Sequence, residues 1–193
     1  MNRISIPKNE WDERLAQLLS SFDIYAPVEN EFSCDYALLE VDTIPDIVYN
    51  KPKPVTPLKK FFLPVKENVT SESASLNPVV VIGPPICDVM GLAFLDEIYL
   101  DREYTDPFYL QRRENTTVVT CDCLSIQDHC HCTSYGIEPK GNDHSDLSLA
   151  LVNGQMILTV HNNKGGDFLE KLGIMVSHEP ENELIRSLEK MHA

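Results

Sequence analysis

With 193 residues, 42% of them hydrophobic and 24% charged, the chain has the makeup of one globular domain, long enough to bury a core without disulfide staples. Thirty acidic against sixteen basic side chains give a formal charge of −14, which argues against phosphate backbones and anionic lipid surfaces as partners. No apolar run approaches the roughly 18–20 residues of a membrane span, and the opening MNRISIPKNEWDERL has no apolar h-region, so the expectation is a cytoplasmic protein with no nucleic-acid partner and no membrane insertion.

Residues 11–22 (WDERLAQLLSSF) repeat Trp11, Leu15, Leu18, Leu19 and Phe22 at helical spacing and predict a short amphipathic helix. Residues 25–49 alternate apolar runs with acidic turns and Pro45, the pattern of short strands. The next segment is dense in Pro and Lys, and prolines at 52, 54, 57 and 64 forbid a continuous helix there. After a polar loop, PVVVIG reads as a buried strand, Gly83-Pro84-Pro85 as a sharp turn, and residues 86–100 as a buried helix with Asp88 as its cap. TTVVT, at 116–120, is a second buried strand that runs into the cysteines. LSLALV-NG-QMILTV is a hairpin on an Asn153-Gly154 turn, expected to be core and edge; Gly165-Gly166 reads as a turn, and residues 183–191 as a C-terminal helix. The fold class is α/β or α+β: a mixed sheet with a few helices, in a single domain with a cysteine-rich metal-binding loop. Its parts are an N-terminal helix and short strands (1–50), a metal-binding core (51–175) and the C-terminal helix (176–193).

Six cysteines in a chain with no export signal point to metal ligands or redox thiols. Cys121-Asp122-Cys123 and Cys130-His131-Cys132 form two C-x-C pairs within a dozen residues, and His129 and His131 widen the donor set. Four thiolates can complete a tetrahedral zinc site or an iron-sulfur cluster; unligated reduced thiols are the plain alternative. The spacing is neither the C-x2-C knuckle of structural zinc nor the bacterial ferredoxin run. Cys87 reads either as a small core residue or as a thiol in the first turn of a helix, where backbone N–H groups and the helix dipole favour an anion. Cys34 reads as structural. Arg112 and Arg113 read as ion-pair partners of Asp101, Glu103 or Asp106, with the alternatives of screening a charged cluster or docking an acidic partner.

The order Ile86-Cys87-Asp88, Asp96, Asp106-Pro107-Phe108-Tyr109, Arg112-Arg113, Cys123 and Cys130-His131-Cys132-Thr133-Ser134 resembles the N-terminal domain of the iron-sulfur, or beta, subunits of cytoplasmic sulfhydrogenases and of the related iron-sulfur subunit of anaerobic sulfite reductase. The resemblance covers roughly residues 50–175. It implies one 4Fe-4S cluster held by Cys87, Cys123, Cys130 and Cys132, converging although more than thirty residues separate the first two. Cys121 is left as a spare thiol or an alternative ligand, because the spacing to Cys130 matches Cys123. Two departures stand out: Ile86 replaces a proline, and the sequence to Ala193 lacks the cysteines of the ferredoxin-like module that such subunits usually carry. The resemblance therefore implies an electron-transfer subunit that works with a flavoprotein and/or a hydrogenase or reductase subunit; the surface near Cys130 to Tyr135, with apolar Ile126 and Tyr135 beside the ligands, is the expected docking face. A zinc-stabilised interaction module is the alternative function.

Overall fold

A computed structural model describes residues 3–29, 33–51, 54–63, 77–128, 130–174, 180 and 182–192; His129, the prolines at 52 and 64 and most of the polar loop at 70–78 lie outside the described residues. Strand β1 (Arg3–Pro7) turns Ile4 and Ile6 inward and leads directly into helix α1 (Lys8–Leu18), which buries Trp11 and Leu15. Next come β2 (Asp23–Glu29) and β3 (Cys34–Leu38), then a 3-10 turn at Val41–Asp46 and another at Leu58–Phe61. Beyond these lie β4 (Val79–Ile82), α2 (Ile86–Tyr99), α3 (Pro107–Asn115) and β5 (Thr116–Cys121). The chain ends with β6 (Leu147–Val152), β7 (Gln155–Val160), α4 (Asn163–Lys171) and α5 (Asn182–His192).

The seven strands form one mixed sheet in the order β1-β7-β6-β5-β4-β2-β3. β2, β4, β5 and β6 are parallel, while β7 runs antiparallel to β6, β1 to β7 and β3 to β2. Parallel strands are covered on both faces, and every residue of β5 is buried. On one face Trp11, Leu15 and Phe168 cover Val80, Ile82, Val119 and Leu149. On the other, Ile86, Val89, Leu92 and Tyr109 join Phe62 against Val81 and Val118, and Leu188 of α5 covers Ala150, Val152 and Ile157. Helices on both faces of a largely parallel sheet make this an α/β fold. No helix among the described residues is long and apolar enough to cross a membrane.

The hairpin forms in the expected register, with Asn153 and Gly154 at φ 51° and 77°, the positive values a type I′ turn requires. Several expectations need correction. β7 is not an edge, because β1 pairs with it across residues 3–7 and 155–159. The segment expected to turn at Gly165-Gly166 is the first turn of α4: Asn162 accepts from the Gly165 N–H at 3.1 Å and caps the helix. α2 is buried on one side only, since Phe94 and Ile98 are each 65% exposed. Asp88 does not cap it; Pro85 is the N-cap residue, and the Asp88 carboxylate accepts from the Leu58 N–H at 3.2 Å instead.

Candidate metal centre

Parallel β4 and β5 deliver two chain segments to the same edge of the sheet, the carboxyl edge at which open α/β sheets bind ligands. Past β4 the chain continues beside β5: the Gly83 N–H donates to Val119 O at 2.9 Å and the Cys121 N–H to Pro84 O at 3.1 Å. Gly83 has φ +95°, and a Cβ there would lie 2.5 Å from the Pro27 ring, so only glycine permits this turn. The turn sets Cys87 as the second residue of α2.

Past β5 the chain opens into a loop that carries the other thiols. The Cys123 N–H donates to Pro139 O at 2.9 Å, tying the loop's departure to its return. The Gln127 N–H lies 3.4 Å from Cys130 Sγ and donates to it, and a 3-10 turn at Cys132–Tyr135 closes on Gly136, in the left-handed region at φ 71°. Asp122, almost fully buried, accepts from the Gly141 N–H at 2.9 Å and faces His192 of α5 at 3.2 Å.

Cys87, Cys123, Cys130 and Cys132 all line one cavity of about 320 Å³. Pro85, Ile86, Ile137 and Pro139 supply apolar wall, and Tyr135 and His131 complete it. Among the described residues, no three His, Cys, Asp or Glu side chains are drawn together tightly enough to hold a single metal ion. The four thiols thus face a shared space without closing on a point. Burial pushes the Cys123 thiol up, and the neighbouring Cys130 and Cys132 raise it further. A cationic centre reverses that cost by drawing the proton off each ligating thiol.

Cys121 does not line this cavity. It belongs to the core cluster on the α1 face, accepts from the Asn50 N–H at 3.0 Å, and burial pushes its thiol up to about 12. Two residues apart on a strand, Cys121 and Cys123 would share a face, but β5 ends at Cys121 and the chain turns, its next N–H donating to Leu149 O. Cys34 sits on the edge strand β3 and does not line the cavity, its thiol raised by burial.

The other residues of the motif hold the scaffold. Asp106 caps α3 by accepting from the Phe108 and Tyr109 N–H groups at 2.9 and 2.8 Å, with Pro107 in the first helical position. Tyr109 Oη donates to Asp96 at 2.7 Å, and Arg113 Nε lies 3.1 Å from both Asp96 oxygens, fastening α3 to the helix that carries Cys87. The ion-pair partner of Arg113 is thus Asp96, which lies one turn before the end of α2, rather than Asp101, Glu103 or Asp106. Arg112 donates to Phe62 O at 3.1 Å. Both arginines precede β5 while Cys123, Cys130 and Cys132 follow it, and six residues at ~3.3 Å each separate the two ends of the strand by about 20 Å.

Sequence reasoning missed Asn50. At φ 61°, it donates from Nδ2 to Leu151 O, accepts from the Leu151 N–H at 3.0 Å through Oδ1, and accepts from the Leu124 N–H at 3.1 Å through its own carbonyl. It thereby joins β6 to the start of the thiol loop. The usable signal was an Asn between Tyr49 and Lys51-Pro52, since Asn tolerates the left-handed region better than most residues. Asn50→Ala is expected to lower stability by about 2 kcal/mol, leaving two Leu151 backbone groups short of partners, as urea unfolding would measure.

Over 153 residues the sequence is 28% identical to the sulfhydrogenase 2 subunit beta of Pyrococcus furiosus. The match covers 76% of this chain and 44% of that protein, so the chain spans less than half the length of this curated relative. It agrees with the resemblance to sulfhydrogenase beta subunits that the motifs carry. No family model and no solved structure matches the chain.

Proposed function

We propose that the chain is an electron-transfer domain in which Cys87, Cys123, Cys130 and Cys132 hold one 4Fe-4S cluster, working within a complex that contains a flavoprotein and/or a hydrogenase or reductase subunit. The observation that carries this reading is that the four cysteines matching the family's ligand positions, one from α2 and three from the loop after β5, line one cavity, while Cys34 and Cys121 do not. The size of the cavity favours a cluster over zinc. A tetrahedral zinc ion needs four sulfurs about 2.3 Å from one point, whereas the thiols here line a cavity of about 320 Å³ without closing on a point.

Bound there, such a cluster accepts and releases single electrons. The protein's own part is to hold and tune it. The N terminus of α2 borders the cavity with no side-chain cap, so its dipole favours the negative charge of ligating thiolates. The Gln127 N–H, already directed at Cys130 Sγ, gives that sulfur a backbone hydrogen bond of the kind that tunes a cluster. Ile86, Ile137 and the flanking prolines limit the water around the sulfurs, a further control on potential.

Anaerobic purification followed by iron and acid-labile sulfide analysis tests the proposal. Broad absorbance near 400 nm that bleaches on reduction, with iron and sulfide in equal amounts, supports it; a colourless protein holding zinc contradicts it. Cys121→Ser is expected to leave iron content unchanged while lowering stability by about 1 kcal/mol, since Asn50 can still donate to the hydroxyl. Loss of iron in that variant, with retention in Cys123→Ser, would exchange the two assignments.

A further inference from the structure

The rim of the thiol cavity combines two features that the scaffold does not use. Ile126 is 91% exposed and Tyr135 80% exposed, and the Tyr135 ring also lines the cavity. Single exposed apolar side chains are ordinary, but these two stand on the one loop that carries three of the four thiols. The second feature is charge. Between Arg113 and Lys140 the sequence contains no Lys or Arg, and of the carboxylates at 122–138 Asp122 is buried against His192 while Asp128 stands exposed. Lys140, the first base beyond them, is held on Glu138. Asp128 is exposed beside Ile126, and the chain as a whole bears −14. Arg112 and Arg113, at the far end of β5, form no part of this face.

From this arrangement we infer that the loop face bearing Ile126 and Tyr135 receives a redox partner whose contact surface is apolar at its centre and basic at its rim. The inference rests on the electron-transfer reading above and adds the chemistry of the partner. Apolar contact at the centre excludes water next to the cavity, and opposite charge around it steers the encounter and fixes its orientation. A partner with an acidic face would meet exposed Asp128 with no Lys or Arg between Arg113 and Lys140 to offset it.

Two redox-inert paramagnetic probes test the charge of this face without requiring any electron transfer: hexaamminechromium(III), a cation, and hexacyanochromate(III), an anion. In NMR spectra of the full chain at ~10 mM salt, where the Debye length is ~30 Å, the cation is expected to broaden the Ile126 and Tyr135 amide signals severalfold more than those of α1. The effect should disappear near 1 M salt, and the anion should not reproduce it. Asp128→Lys should at least halve the broadening at the loop, while Glu13→Lys, an equal charge change on exposed α1, should leave it in place. Equal loss in both variants, or broadening centred elsewhere, would overturn the inference and reduce the effect to overall net charge. A protein that lacks the 400 nm absorbance yet still gathers the cation at the loop would defeat the electron-transfer reading instead, so the two failures are distinguishable.

Discussion

Cys87→Ser is expected to take iron from about four atoms per chain to a small fraction of that while leaving the fold in place. The side chain sits in the first turn of α2, half-buried, with its backbone already fixed by Gly83, Pro84 and Pro85. Serine preserves that turn and removes only the soft donor that iron requires. The loop thiols Cys123, Cys130 and Cys132 would remain on the cavity without a fourth sulfur. Far-UV circular dichroism close to that of the parent, together with lost absorbance near 400 nm, is the predicted outcome. Full retention of iron and sulfide in this variant would remove α2 from the site and favour a centre built from the loop alone.

The second large effect is structural. Gly165→Ala is expected to lower stability by about 3 kcal/mol, a sizeable share of the ~5–15 kcal/mol typical of a domain, and the thermal midpoint by roughly 6–12 °C. An added Cβ would lie 2.0 Å from Asp146 O and 2.7 Å from Asp146 C, both backbone atoms at the start of β6 that have little freedom to move. The side chain of Asp146 is committed as well, accepting from the Val118 N–H and from Asn162 Nδ2, each at 2.8 Å. The helix can yield only by lifting from the sheet, which strips the Asn162 bond from a buried carboxylate. Calorimetry of the variant measures the effect, and a midpoint equal to the parent's would show that α4 is not seated on Asp146. Asp146 also closes the segment that carries the thiols, its N–H donating to Val118 O, so weaker cluster retention should accompany the loss.

Where structure is local, the sequence announced it. A β-branched run made β4 and β5, an Asn-Gly pair between apolar runs made the β6–β7 hairpin, and Gly-Pro-Pro marked the turn before α2. Where an element depends on a distant partner, it was hidden. β1 has only two inward residues, Ile4 and Ile6, and exists as a strand because β7 lies beside it more than 145 residues later. α4 was disguised because the Gly165-Gly166 pair read as a turn, whereas Gly165 serves a close helix-to-sheet approach. α3 did carry a usable signal, Asp106-Pro107 followed by Tyr109, whose meaning became plain only with Asp96 across from it. At the candidate site, the ligand positions followed from the resemblance, whereas the separation of Cys121 from Cys123 did not. Strand alternation assumes that the strand continues, and β5 stops at Cys121, where Asn50 accepts a role that no local pattern specifies.

Differential alkylation of the six cysteines, followed by mass spectrometry, tests the central claim most directly. The full chain is purified anaerobically and labelled before and after chelation of its iron. Cys87, Cys123, Cys130 and Cys132 are expected to resist labelling in the loaded protein and to react together once iron is removed. Cys34, on its edge strand, should react equally in both states, and Cys121, buried with its thiol pushed up to about 12, should stay unlabelled in both until the chain is unfolded. Protection of Cys121 in place of Cys123, or free reaction of Cys87 in the loaded protein, would contradict the four-thiol centre.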